Sequence, residues 1–143
     1  AIQERYSLLD RGIEKDLIPL CRSNQVAVHG YSSLALGLLA GPIDPTRVFG
    51  GDDQRQDNPR FSAENRAHLV NFFAAVEPIC AVHGCSYGQL MIAWSLSNVD
   101  VALCGARTPA QAQDNAGAGA IDLGLAELHA IAGAAQTHLH TIV

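Results

Sequence analysis

Apolar and polar positions along this chain recur with two periods, and each switch of period marks a change of element. Residues 1–9, AIQERYSLL, read as a strand running into a loop. Ile13, Leu17, Leu20 and Cys21 then share one helical face, with Glu14, Lys15 and Asp16 turned away. Pro19 lies inside that pattern and demands either a kink or a late start. QVAVHGYS, residues 25–32, reads as a buried strand. Residues 41–61 break the periodicity with Gly, Pro and Asp, and a loop of that length in a compact domain is expected to be functional or disordered.

Two helices follow. Ser62 caps the first, whose apolar face runs Leu69, Phe73, Val76, Cys80; Pro78 predicts a kink and Gly84 an end. Ser86 opens the second with Gln89 at the third helical position, a capping box, and its inner face runs Leu90, Ala93, Trp94, Ser97. DVALCG is the next strand. Thr108-Pro109-Ala110-Gln111 gives a capping threonine, a proline at the first helical position and a glutamine at the third. A last helix covers about 125–136, with Leu125, Leu128 and Ile131 inward. Strands separated by helices predict a parallel sheet in an α/β fold, and 143 residues suit one domain over 1–143.

Composition narrows the function. The chain is 48% hydrophobic, enough to fold, and carries a net charge of −5. Lys15 is its one lysine, so no basic patch offers itself to a nucleic-acid backbone. No apolar run reaches membrane-spanning length and no leader pattern opens the chain, so the expectation is a cytoplasmic protein with its four cysteines reduced.

Candidate chemistry concentrates at GARTPAQAQDN, residues 105–115. A helix N-terminus carries unpaired N–H groups and partial positive charge, and so accepts anions. Arg107 stands just before the cap, where its guanidinium can fork onto phosphate, and Gly105 admits close approach to the backbone. Gln111 and Asn115 are four apart and share a helix face. The competing reading is a solvated arginine beside a cap that binds nothing. Cys80, His83 and Cys85 are residues zinc accepts, but no second cluster follows and the first two sit near one helix end, so no metal site is assigned. Asp52, Asp53 and Asp57 mix with Arg47, Arg55 and Arg60, which reads as a solvated loop; a lid is the alternative.

GARTPAQ followed by DNAGA resembles the end of an aldo-keto reductase, where it grips the adenosine 2′-phosphate of NADPH. QERYSLLDRGIEKDLIPLCRSNQVAV with YSSLALGLLAG is similar to that family's sixth and seventh barrel strands, and NPRFSAEN and YGQLMIAWSLSN fit the helices before its last strand. The resemblance runs the length of the chain. It implies that Gln3 touches the nicotinamide carboxamide and that Tyr31 stacks on the ring. It places Ser32, Leu34 and Gly37 along the pyrophosphate, Arg107 on the 2′-phosphate, and Gln111, Asp114 and Asn115 at the adenosine. Ser33 and Cys104 stand where many members of that family have proline.

The same resemblance implies a partial, half-like TIM barrel of about three parallel strands and five or six helices, since a full barrel takes eight strands and about 250 residues. The family's acid is a tyrosine tuned by lysine and aspartate on earlier strands. Lowering a tyrosine pKa from about 10 needs a nearby cation, and Lys15 sits on a polar helix face. The expectation is therefore a truncated reductase-like chain that binds NADP(H) weakly and is inactive alone. Alternatives are a non-enzymatic oligomerising module, or a fragment of an intact NADPH-dependent enzyme. Exposed sheet edges would call for a homodimer or the missing N-terminal barrel half.

Overall fold

The computed structural model describes residues 1–142. Three short parallel strands, β1 (Ile2–Arg5), β2 (Val28–Tyr31) and β3 (Val101–Leu103), form one sheet in the order β1-β2-β3. Five α-helices surround it: α1 (Leu17–Ser23), α2 (Ala63–His83), α3 (Tyr87–Leu96), α4 (Pro109–Gly117) and α5 (Leu125–His138). The expected α/β class, strand count and helix count are all observed.

Register follows from local chemistry. Ile2 pairs with Val28 and Gln3 with His29, while His29 pairs with Val101 and Tyr31 with Leu103. Asp100 clamps the second pairing: its carboxylate accepts from Val28 N–H at 2.8 Å, and its own N–H donates to the Val28 carbonyl at 3.0 Å. Gly30 sits where a Cβ would lie 3.2 Å from Val99 and 3.3 Å from Tyr6, so a side chain there would crowd the two loops packed on the sheet.

The core lies on one side of the sheet. Tyr6, Leu69, Phe72, Phe73, Leu90, Met91 and Ile131 are inaccessible or nearly so. Tyr6 stacks on Trp94 with ring centroids 5.8 Å apart, and its hydroxyl donates to Glu14 at 2.7 Å and accepts from Asn98 at 3.0 Å. Burial and the Glu14 carboxylate together raise its pKa. Glu14 thus belongs to a network and not to a solvated face, and it also pairs with Arg11 at 2.8 Å.

Several local expectations need correction. Of the two outcomes expected at Pro19, α1 takes the late start, at Leu17, which puts Pro19 in the first turn, where its missing N–H has no helical partner to lose. The later start rotates the face: Ile18 and Cys21 are buried and Leu20 is exposed. α2 contains Pro78 and ends at His83, with Gly84 closing it as expected. Leu125 is exposed because it is the first residue of α5, where the inward stripe has not yet begun; Ile131 is buried. β2 is buried on one face only. Residues 41–61 form an ordered loop. Arg66, buried in α2, donates to the carbonyls of Asp44 and Arg47 at 2.6 and 2.8 Å. Arg60 reaches back to Asp10 with two bonds of 2.8 and 3.0 Å, a tie across 50 residues where a solvated charge was expected. No single helix among the described residues is long and apolar enough to cross a membrane.

Candidate functional site

A cavity of about 1130 Å³ opens at the carboxyl ends of β2 and β3. Parallel sheets place ligands there, because loops leave the strands and helices begin on that side. Residues 32–37 after β2, residues 52–55 of the long loop and residues 103–107 line it, together with the face of α4 that carries Ala110, Gln111, Asp114 and Asn115, and with Ala40 and Gly88.

The segment after β2 is shaped by its backbone. Ser32, Ala35 and Leu36 take positive φ of 64°, 47° and 58°, followed by Gly37 at 89°. Each non-glycine residue held so costs about 1–2 kcal/mol, and such strain persists only where surrounding packing imposes it. Here the packing is the full burial of Leu38 and Leu39 immediately downstream. Nothing in the sequence flags Ala35 or Leu36 for this conformation. Ser33 is buried, lines the cavity, and its hydroxyl oxygen has no hydrogen-bond partner.

The segment before α4 is shaped by side chains. Thr108 caps the helix by accepting from Gln111 N–H at 3.2 Å. The Gln111 carbonyl oxygen accepts from Arg107 N–H at 2.8 Å, and the Asn115 amide donates to the Gly105 carbonyl at 3.2 Å. α4 buries none of its residues, so polar ties must hold it. Ser86 donates to the Asp114 carboxylate at 3.1 Å, and the Gln89 amide donates to the Asp114 carbonyl at 2.9 Å. The expected capping box of Ser86 and Gln89 is present and is joined to this tie. Asn115 and Gln111 therefore brace the loop they were expected only to read from. The Arg107 guanidinium is exposed to the cavity and makes no ion pair among the described residues.

The third segment is pinned by arginines. Phe49 lies under the guanidiniums of Arg47, Arg55 and Arg66, at 5.1, 4.6 and 5.4 Å, and meets Phe61 edge-on at 5.6 Å. Arg55 grips Asp53 through Nε at 2.8 Å and holds its carboxyl down at about 2. Burial and its bonds to the Asp44 and Arg47 carbonyls identify Arg66 as the anchor. Cys104 also lines the cavity, with its thiol pushed up by burial.

Eight of the ten expected cofactor contacts converge on the cavity: Ser32, Leu34, Gly37, Gly105, Arg107, Gln111, Asp114 and Asn115. Gln3 and Tyr31 lie outside its lining, on the sheet face opposite the core. Lys15 is exposed, Tyr6 is tied to Glu14, and Tyr87 donates to Glu77. His83 turns to Glu127 at 2.8 Å, away from Cys80 and Cys85.

Comparison with known proteins decides the family. The aldo/keto reductase family model matches residues 1–136. The chain belongs to the aldo/keto reductase family. It is 39% identical over 124 residues to the NADH-specific methylglyoxal reductase of Escherichia coli (strain K12), covering 85% of this chain and 37% of that protein. It is 32% identical over 116 residues to an aldo-keto reductase of Bacillus subtilis (strain 168), covering 77% and 34%. The glycerol dehydrogenase of Gluconobacter oxydans superposes with a TM-score of 0.83 at 30% identity, over 96% of this chain and 42% of that one. The chain thus spans about two fifths of the length of such relatives, and this aldo/keto reductase sheet corresponds to part of their barrel.

Proposed function

We propose that this chain is the nucleotide-gripping part of a nicotinamide-dependent carbonyl reductase, with Arg107 on an adenosine 2′-phosphate. The observation that carries the reading is the Arg107 guanidinium, without an ion-pair partner among the described residues, beside a capped helix N-terminus in the cavity that Ser32 and Gly37 also line. The cavity suits such a group: its volume is ample, and Ser33, one of its lining residues, has a buried hydroxyl without a hydrogen-bond partner. A bound nicotinamide would supply or accept hydride. The chain's own residues bind and orient: Gly105 gives close approach, Asp53 and Arg55 close one side, and Gln3 and Tyr31 stand on the sheet face where the ring would lie. No tyrosine among the described residues is paired with a lysine, so the isolated chain is expected not to reduce aldehydes with NADPH. Turnover that survives purification and vanishes in Tyr6→Phe or Tyr31→Phe would overturn that part.

Calorimetric titration with NADP, NAD and 2′-phospho-AMP tests the clamp. A charge-assisted contact to phosphate contributes about 1.5–3 kcal/mol, so NADP should bind at least about tenfold tighter than NAD. Arg107→Ala should remove that preference, and 2′-phospho-AMP should bind nearly as well as NADP. The name of the Escherichia coli relative records NADH use. Equal binding of NAD and NADP, or an unaltered Arg107→Ala variant, would reject the phosphate role.

A second reading is favoured by the uncovered sheet. Tyr31, Val101 and Leu103 are each more than a third exposed on one face, and β1 and β3 are open edges. That face would dock a preceding barrel segment or a second copy, and an obligate interface buries about 2,000 Å² or more. A monodisperse monomer in sedimentation at micromolar concentration, unfolding cooperatively, would reject self-association.

A further inference from the structure

Cys80 and Cys85 take no part in the cavity, yet the fold brings them together. α2 ends at Gly84, which takes φ 58° and ψ 36°. Beyond it, the Cys85 N–H donates to the Cys80 carbonyl at 3.1 Å. This six-to-one bond closes the helix in the manner that brings the third residue before the left-handed glycine's cap against the residue after it. Such a closure draws two Cα atoms toward the spacing a disulfide requires, roughly 4.4–6.8 Å. Cys80 is buried and Cys85 half-buried in the same apolar cluster, both are free, and their thiols are near enough for each to shift the other's ionisation. His83, between them, is engaged with Glu127.

We propose that Cys80 and Cys85 form a redox-active dithiol, which a small disulfide converts into an intramolecular disulfide stapling the end of α2 to the start of α3. The more accessible Cys85 thiolate attacks one sulfur of the small disulfide, forms a mixed disulfide and releases one small thiolate. The Cys80 thiolate then attacks the Cys85 sulfur and releases the second. Two protein thiols are oxidised, one small disulfide is reduced to two thiols, and no other reactant is consumed.

Burial pushes the Cys80 thiol up to about 12, helped by its neighbour, and burial raises Cys85 as well. At Cys85 burial outweighs the hydrogen bonds from the Cys80 thiol and a backbone N–H that favour its thiolate, so the reduced pair gains little from ionising, which favours the disulfide once formed. The same elevation leaves little thiolate at neutral pH, so the exchange should be slow there and quicken as pH rises. The staple would lie one residue from Ser86, which caps α3 and holds Asp114 of α4.

The test exposes the whole chain to oxidised glutathione at mildly alkaline pH, then quenches with acid and alkylates. The expected product has lost two hydrogens and carries no glutathione. Alkylatable thiols fall from four to two, a linked Cys80–Cys85 peptide appears, and dithiothreitol reverses all three. Cys80→Ser should instead retain one glutathione on Cys85. Cys85→Ala, at a half-buried position that folding tolerates more readily, should show no loss of two hydrogens. A wild-type chain that keeps glutathione on Cys85, reacts only at Cys21 or Cys104, or retains all four thiols would overturn the proposal. The readout is mass, so it stands or falls separately from the nucleotide clamp.

Discussion

The two faces of the sheet belong to the same three strands and meet opposite fates. On one, Val28 and Gly30 are buried, and a methyl group at Gly30 would crowd Val99 and Tyr6. On the other, Gln3, His29 and Tyr31 alternate with them in register, and Val101 and Leu103 stay partly exposed. A strand's period of two decides which residues share a face, but a face is buried only if something lies against it. The helices of this chain suffice for one. The other carries a mixture of polar and apolar side chains and lies bare.

The sharpest way to probe the covered side is Phe72→Ala. Phe72 is inaccessible, so truncation should cost about 3–5 kcal/mol in denaturant unfolding. A loss below about 1 kcal/mol would mean that the helix layer is loosely packed. Gly30→Ala and His29→Ala compare neighbouring positions on opposite faces. The first forces a methyl against Val99 and Tyr6 and should cost about 1–3 kcal/mol. The second should stay within about 0.5 kcal/mol, since the His29 side chain faces no packed layer. Similar costs at the two positions would show that the outer face is covered as well. Val101→Lys should leave the unfolding midpoint nearly unchanged yet disperse any oligomer in sedimentation; an oligomer that survives the charge is built through some other surface.

The smallest expected effect is a pH slope. The Arg60 guanidinium holds the Asp10 carboxyl below its ordinary range, against the opposing pull of burial. A depressed folded pKa contributes stability above the unfolded value, about 3.9, that is lost as pH falls through the folded value. Unfolding free energy should therefore decline below about pH 4, and Asp10→Asn should flatten that decline. An unaltered acid slope in the variant would show that the pair adds nothing net.

The site was legible where local chemistry is self-sufficient. Thr108 and Gln111 announce a helix start, and the capped helix stands there. Ser86 and Gln89 announce a capping box, and it forms. Arg107 was legible through its place before the cap and through family resemblance, and it lines the cavity with eight expected residues in all. The positive φ of Ala35 and Leu36 was not legible, because neither residue favours that region; the burial of Leu38 and Leu39 imposes it. Arg66 could not be told from a surface charge until its bonds to Asp44 and Arg47 were seen.

By itself the sequence determined the α/β class, the order of the elements, the caps of α2, α3 and α4, and the segments that meet at the strand ends. These rest on periodicity and on hydrogen bonds between residues a few positions apart, which any short stretch of chain can form. Tertiary structure decided the rest. It chose which face of the sheet lies bare, turned Leu20 and Leu125 outward, and tied Arg60 to Asp10 across the chain. Those outcomes depend on where one element ends relative to another, and a shift of a single residue rotates a helical side chain by about 100°.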